Sequence, residues 1–228
     1  MKRLVFQTWT TLNGTEPPHV ELSSRAFELY AEQHDADYEL LRTNKTRNFG
    51  HPFFNKYWAI ERLDTYDQVL YADSDVLPTP DAENIFNTYA HSGWVGLCSN
   101  IADQAEYGFE DTRSMGPFNA GVLLFNNRAP YQTAELRNAT IEPHLPYSHK
   151  YLGKWWQYWD DEHSDELTLC SDGVTPNDEP LFWRILQIYS IPPFHIQRRF
   201  NWRVGCCTAH RDQAQFLHFV EHRKTALS

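Results

Sequence analysis

The first hundred residues alternate between short apolar runs, typical of strands, and amphipathic stretches, typical of helices. This pattern predicts strands at residues 3–9, 37–42, 69–73 and 94–99, and helices at residues 20–33, 53–64 and 82–89. In the first helix, Leu22, Ala26, Leu29 and Tyr30 recur at helical spacing. Strand–helix alternation predicts an α/β fold whose mostly parallel central sheet is flanked by helices. Ligands of such sheets bind where the strands end.

The second half of the chain contains further elements that complete this sheet. FNAGVLLFN (118–126) predicts a long apolar strand. Residues 177–190 predict a helix that Asn177 caps, with Pro180 still in its first turn. Short strands or extended segments are expected at residues 195–202 and 216–219.

Residues 143–176 have no clear period and combine tryptophans with a run of acids. A surface excursion of this length in a compact domain tends to be functional. We expect Trp155, Trp156 and Trp159 to serve packing first. An acceptor platform, a hydrophobic lid and a docking patch are the alternatives for this segment.

The charge balance excludes two large classes of partner. The 228 residues include 30 acidic and 20 basic side chains, which gives a formal net charge of −10. Nucleic acids and anionic membranes attract basic surfaces, so we expect neither as a partner. The sequence has no window near the roughly 18 apolar residues of a membrane span and no signal peptide. We therefore expect a cytoplasmic protein without a transmembrane segment.

Two carboxylates follow the third predicted strand, in the sequence VLYADSDVLP (69–78). Strand side chains alternate between faces, so Asp73 and Asp75 are expected to share one crevice while Ser74 faces away. Neighbouring carboxylates repel each other unless a cation lies between them, and hard divalent cations prefer oxygen ligands. The alternative is an Asp-x-Asp turn without a ligand.

A second Asp-x-Asp in the chain provides an internal comparison. Asp35 and Asp37 have the same spacing, but a polar helix end rather than an apolar strand precedes them. We expect this second pair to be solvated.

The stretch from Lys56 through YWAIERLDTYDQVLYADSDVLP resembles the core of glycosyltransferase family eight, the retaining, glycogenin-like sugar-nucleotide transferases of GT-A fold. FNAG (118–121), FNW (200–202) and HFVEHRK (218–224) are similar to later family motifs and occur in the family's order. The last motif departs from the family pattern at Glu221, where the family has glycine. Thr225 and Ala226 stand where the family has Pro-Trp.

This resemblance implies one glycosyltransferase domain over residues 1–228, with a Rossmann-like sheet. Residues 1–100 would form the nucleotide-binding half. Residues 101–228 would supply the acceptor half and a C-terminal segment for metal and phosphate.

The resemblance also implies a set of metal ligands: Asp73, Asp75 and His218. An imidazole beside carboxylates suits Mn²⁺ better than Mg²⁺, which prefers oxygen throughout. Lys224 would contact the diphosphate as a point charge. The alternatives are a packed histidine at a strand end for His218 and a solvated tail for Lys224.

Further residues are implied around the donor. Lys56 would lie near the donor sugar and phosphate, with a solvated lysine as the alternative. Gln7 and Thr8 at the end of the first strand would read the base, unless they are packed strand residues. Asn119 would bond a donor hydroxyl or else tie strands together. Asp178 is a candidate for the catalytic site, although acids in a first helical turn are also favoured by the helix dipole.

These features predict a metal-dependent glycosyltransferase that takes a hexose-type sugar from a nucleotide donor, most simply UDP-linked, to a carbohydrate or other hydroxyl acceptor. One alternative is a haloacid-dehalogenase-type phosphohydrolase, whose nucleophile also lies in an Asp-x-Asp after an apolar strand. A Gly-Thr usually follows that motif, whereas Val76-Leu77 follows it here. The other alternative is a protein that binds nucleotide sugars or carbohydrate without catalysis.

Overall fold

The computed structural model describes residues 1–11, 15–45, 52–93, 95–99, 118–127, 178–179, 182, 186, 193–204 and 211–219. The elements in chain order are β1 (Arg3–Thr10), α1 (Pro18–Gln33), β2 (Asp37–Thr43), β3 (Gln68–Ala72), β4 (Val76–Pro78), α2 (Ile85–Thr88), β5 (Val95–Ser99), β6 (Phe118–Asn126), β7 (Phe194–His195), β8 (Trp202–Arg203) and β9 (Phe216–His218). Segments of 3-10 helix cover Pro52–Asp64, Arg198–Asn201 and Arg211–Gln213. The predictions for Trp155, Trp156, Trp159, Asn177, Pro180 and Lys224 lie outside the described residues.

The main sheet has the strand order β2-β1-β3-β6-β5-β7 within the described part of the chain. Strand β1 pairs in parallel with β2 and β3, and β5 pairs in parallel with β7. Strand β6 runs antiparallel to both of its neighbours, β3 and β5. The mostly parallel α/β fold that the sequence predicts is therefore confirmed. Because β6 is reversed, its beginning lies beside the end of β3.

Both faces of this sheet are buried, which explains why its central strands read as continuous apolar runs. Phe6 and Tyr71 face a core that the long 3-10 helix covers. Val5 and Leu70 face a second core, which α1 covers with Phe27. Alternate residues of the same strands thus serve two cores.

Helix α1 forms where the sequence predicts it, but it buries a different stripe. Its buried residues are Val20, Ser23, Phe27, Tyr30 and Ala31. Of the residues that recur at helical spacing, Leu22 and Leu29 are 46% and 59% exposed, whereas Tyr30 is buried.

A second, smaller sheet was not predicted as such. It has the order β4-β9-β8, with β4 antiparallel and β8 parallel to β9. Val76 pairs with His218 in its register. The predicted extended segment at residues 195–202 instead contains a turn of 3-10 helix at Arg198–Asn201.

No helix in the described ranges is long and apolar enough to cross a membrane.

Candidate active site

Asp73 and Asp75 lie in a turn that follows β3, and not on the strand itself. The strand ends at Ala72, and the Val76 N–H donates to the Asp73 carbonyl oxygen at 3.1 Å. Strand alternation is therefore the wrong reason for their proximity. A turn after a buried strand also delivers two carboxylates to one point, so the turn and the metal site are compatible. Asp75 is buried, whereas the Asp73 side chain is 28% exposed.

The small sheet brings His218 to this turn. Val76, the residue after Asp75, pairs with His218, and the Phe219 N–H donates to the Asp75 carbonyl oxygen at 2.9 Å. The structure thus brings together the three predicted metal ligands. Each of Asp73, Asp75 and His218 offers one ligand atom, and these atoms lie within 4.8 Å of one another. Two carboxylates and an imidazole form a donor set that fits a divalent cation such as Mn²⁺.

Hydrogen bonds connect the other side of the His218 ring to strand β6. His218 Nδ1 lies 2.9 Å from Asn201 Oδ1, and Asn201 Nδ2 donates to Asn119 Oδ1 at 2.8 Å. Asn119 Oδ1 also accepts the Gly121 N–H at 3.0 Å. Asn119, predicted to contact a donor hydroxyl, therefore lies in the network behind the histidine.

Gly121 is the residue that makes room for the His218 ring. A Cβ placed on Gly121 would lie 2.7 Å from His218 Nδ1 and still closer to the ring carbon Cε1. Any side chain at this position would have to displace the imidazole.

A slip in strand pairing exposes the backbone of β6 to side chains of the site. Leu97 pairs with Leu123, but the next residue, Cys98, pairs with Asn119. Irregularities of this kind are common beside active sites because they re-aim side chains. The Ala120 N–H here donates to the Glu179 carboxylate at 2.8 Å.

Lys56 lies beneath the aspartates in a buried ion pair. Its Nζ is 3.0 Å from Asp178 Oδ2, 3.7 Å from Asp73 Oδ1 and 3.3 Å from the Ala120 carbonyl oxygen. The alternative of a solvated lysine is wrong, because Lys56 is only 5% exposed. Burial by itself lowers the pKa of Lys56, but the charges of Asp178 and Asp73 more than offset this, and the pKa is raised. The lysine stays a cation.

Two tyrosines hold the carboxylates on either side of Lys56. Tyr71 donates to Asp73 Oδ1 at 2.6 Å, and Tyr57 donates to Asp178 Oδ2 at 3.2 Å. Burial raises the pKa of both phenols well above the usual value, so both remain donors.

Phe182, which lies close in sequence to the acids Asp178 and Glu179, packs against the long 3-10 helix. The rings of Tyr57 and Phe182 are 4.7 Å apart, and Phe182 is fully buried. The pKa of Asp178 is raised by burial, an effect that Lys56 opposes. The pKa of Glu179 is raised to about 7 by burial and by the charge of Asp178.

Gln7 and Thr8 lie in the second half of β1, and Gln7 contacts the aspartate turn. Gln7 is fully buried, and its Nε2 donates to Ser23 Oγ at 2.9 Å and to the Asp73 carbonyl oxygen at 3.2 Å. Its amide oxygen accepts from Tyr38. These contacts hold the turn, and the contact with a base stays a prediction for both residues. Lys224 lies outside the described residues.

Sequence reasoning gave no role to Asn201, Gly121 or Tyr71. Tyr71 lies on β3, but its partner Asp73 lies in the turn that follows, so the alternation of strand faces does not explain this contact. Asn201 and Gly121 lie within the family-like motifs FNW and FNAG, which marked the segments without assigning these residues.

The fold has counterparts among solved structures. A glycosyltransferase involved in the glycosylation of the major capsid of PBCV-1 is 14% identical, with a TM-score of 0.55 over 100% of this chain and 97% of that one. Mouse xyloside xylosyltransferase 1 is 12% identical, with a TM-score of 0.51 over 98% and 99% of the two chains. The bifunctional glycosyltransferase WbbM is 13% identical, with a TM-score of 0.53 over 96% of this chain and 46% of that one. These similarities define the fold as that of the GT-A glycosyltransferases.

A match to a sequence family narrows this class. The family model for glycosyl transferase family 8 matches residues 16–142, more than half of the chain. The chain therefore belongs to glycosyltransferase family 8, which confirms the resemblance drawn from its motifs. No curated protein matches the chain.

Proposed function

We propose that this glycosyltransferase is metal-dependent and moves a hexose-type sugar from a UDP-linked donor to a hydroxyl group of a glycan or other acceptor. The observation that supports this proposal most strongly is the convergence of Asp73, Asp75 and His218, whose ligand atoms lie within 4.8 Å. These residues would hold Mn²⁺, or Mg²⁺ with less suitable ligands. A bound divalent ion would neutralise the charge that develops on the departing diphosphate.

The buried ion pair of Lys56 and Asp178 would orient the donor sugar. Lys56 would lie near the sugar and phosphate, and it holds the Asp178 carboxylate at 3.0 Å. Asp178 is our candidate for a catalytic residue, because a fixed carboxylate next to the anomeric carbon would stabilise positive charge there. Its orientation depends on both Lys56 and Tyr57.

Asn119 is the second catalytic-site candidate, as a contact to a donor hydroxyl. Its Oδ1 accepts from the Gly121 N–H and from Asn201 Nδ2. The group that it would present to a sugar is therefore the amide nitrogen, which donates.

The nucleotide would lie at the ends of β1 and β3. Thr8 and Gln7 are the proposed contacts to the base, and Gln7 also carries the turn at Asp73. Lys224 would contact the diphosphate. In this arrangement residues 1–100 bind the nucleotide, and residues 101–228 bind the acceptor and complete the metal and phosphate site within one domain.

Retention of the anomeric configuration belongs to the same proposal, since the sequence resembles a retaining family. The product anomer, read by proton NMR, tests it. A cytoplasmic location is proposed from the sequence and is tested by fractionation of the source cells.

A thermal-shift screen of nucleotide sugars, with and without Mn²⁺, tests the proposed function. A ligand at about 100 times its Kd stabilises the native state by about 2.7 kcal/mol, so a true donor raises the Tm clearly. We expect a UDP-hexose to do so only when Mn²⁺ is present. The absence of any metal-dependent shift across the panel would contradict the proposal.

Turnover assays distinguish the two alternatives. Release of phosphate from simple phosphoesters, without turnover of sugar nucleotides, would indicate a phosphohydrolase. Binding of the donor with neither hydrolysis nor transfer, across a broad acceptor panel, would indicate a binding protein.

A further inference from the structure

We infer that Asn201 is a positioning residue: it fixes the His218 imidazole in the tautomer that carries its proton on Nδ1 and leaves Nε2 as the ligand atom. The inference deepens the proposed function, because it rests on His218 as a metal ligand. It also connects that ligand to Asn119, the proposed contact to the donor sugar.

The backbone N–H of Gly121 fixes the orientation of the Asn119 amide. A backbone N–H can only donate, and the Gly121 N–H points at the side chain of Asn119 over 3.0 Å. The Asn119 atom at this position must therefore be its oxygen, Oδ1. One end of the chain of hydrogen bonds is thus fixed by the backbone.

The orientation of Asn201 follows from that of Asn119. An oxygen can only accept, so the Asn201 atom that lies 2.8 Å from Asn119 Oδ1 must be the amide nitrogen. The other amide atom of Asn201, which lies 2.9 Å from His218 Nδ1, is then the oxygen. Since this oxygen accepts, Nδ1 must carry the proton of the ring.

The opposite ring nitrogen faces the aspartates. His218 Nε2 lies 3.5 Å from Asp75 Oδ1, on the side where the three ligand atoms converge. In the neutral Nδ1–H tautomer, Nε2 has a free lone pair. Outer partners of a metal-bound histidine commonly select its tautomer and ring orientation in this way.

Burial stabilises a single orientation of the Asn201 amide and a single tautomer of His218. Asn201 is 2% exposed and His218 is 4% exposed, so water does not compete freely for their polar atoms. Reversing the amide of Asn201 would place two oxygens against each other at Asn119 and leave buried polar groups unpaired, which is unfavourable.

The first test needs neither metal nor substrate. Long-range ¹H–¹⁵N NMR of the metal-free protein at alkaline pH distinguishes the two tautomers of His218, with the signals assigned by triple-resonance methods and checked against His218→Gln. We expect the proton on Nδ1. A proton on Nε2 in the wild-type protein would overturn the inference.

The second test measures Mn²⁺ affinity by calorimetry in three variants. Asn201→Ala removes the acceptor, so we expect a loss of about 10–100-fold in affinity. Asn201→Asp retains an acceptor for Nδ1 but loses the donor to Asn119 Oδ1, so we expect the Nδ1–H tautomer and a smaller loss of affinity than in Asn201→Ala. Asn126→Ala is the matched control. Asn126 is also a buried asparagine, but its amide pairs with Gln68 and Gly93 at the other end of β6, and we expect no change in affinity.

The outcomes separate this inference from the proposed function. If the wild type binds Mn²⁺ and Asn201→Ala binds it equally well, Asn201 does not position the ligand. If the wild type has the Nδ1–H tautomer but binds no divalent cation, the selection of the tautomer by Asn201 stands and the metal-dependent function fails. A variant that does not fold leaves the wild-type tautomer as the deciding measurement.

Discussion

Lys56 and Asp178 form an ion pair inside the protein, with 3.0 Å between Nζ and Oδ2 and only 6% of either side chain exposed. The same ammonium group lies 3.7 Å from Asp73, one of the three proposed metal ligands. A single buried cation thus links the proposed metal site to the candidate catalytic carboxylate. A mutation of Asp73 or Asp178 should therefore change the electrostatic environment of the other carboxylate.

Replacement of Lys56 by glutamine should destabilise the protein strongly. The variant leaves the buried Asp178 without a counter-charge, and breaking a buried ion pair in this way costs about 3–5 kcal/mol. Chemical denaturation measures the change in the free energy of unfolding. Adding Asp178→Asn to Lys56→Gln should recover part of the loss, because it removes the unpaired charge. A double variant as unstable as the sum of the two single variants would show that the ion pair does not couple these residues.

Asp75→Ala should abolish metal-dependent binding of the donor without unfolding the protein. This variant removes a proposed direct ligand of the metal. The decrease in Mn²⁺ affinity should therefore exceed the roughly 10–100-fold loss that follows the removal of a residue hydrogen-bonded to a ligand. Asp37→Asn is the control, since Asp37 belongs to the second Asp-x-Asp, is exposed and accepts from Tyr66. Calorimetric titration should show the wild-type affinity for Mn²⁺ in Asp37→Asn. Equal affinities for both variants would remove Asp75 from the site.

Gly121→Ala should weaken metal binding through steric displacement alone. The added methyl group collides with the His218 ring, so the imidazole must move away from the aspartates. Gly96→Ala is a matched control, because its Cβ would lie 2.6 Å from the Phe194 ring in the same sheet. Both variants should be destabilised, but only Gly121→Ala should lose affinity for Mn²⁺. If both variants retain the wild-type affinity, the ring of His218 has room to relax.

Glu179→Gln should change how stability depends on pH. The pKa of Glu179 is raised from 4.5 to about 7 in the native protein, first by burial and then by Asp178. Between pH 4.5 and about 7, Glu179 is protonated in the native state but ionised in the unfolded state. The stability that the wild-type protein gains from the protonated Glu179 is therefore present at low pH and is lost as the pH rises through about 7. Glutamine does not titrate and still accepts from the Ala120 N–H. The stability of the variant relative to the wild type should therefore rise with pH across this window, as measured by denaturation. A constant difference would show that the native pKa of Glu179 is not raised.

Much of the fold could be predicted from the sequence because its signals are local. Apolar runs with turn residues at their ends located β1, β3 and β6 to within about a residue. The inward face of α1 was harder to predict, because Leu22 and Leu29 satisfy a helical period that the sheet does not cover. Periodicity states which residues share a face, but only packing decides which face is buried.

The proposed metal ligands were also accessible to sequence reasoning, though for a partly wrong reason. The residue types and family motifs correctly indicated that Asp73, Asp75 and His218 lie together. The backbone at the two aspartates was expected to be a strand, but it is a turn. The ligand set depends on residue chemistry, which the sequence contains. The backbone that presents it depends on pairing with β9, which is distant along the chain.

The sequence alone determined the class of fold, the acidic character of the chain and the residue types that converge on the proposed cation site. Only the tertiary structure decided that Lys56 is buried between two carboxylates, that Asn201 lies behind His218, and that Gly121 leaves space for the ring. These relationships join segments that lie far apart along the chain. They arise when reversed strand β6 and the small sheet close on the end of β3, and no local pattern of residues encodes such distances.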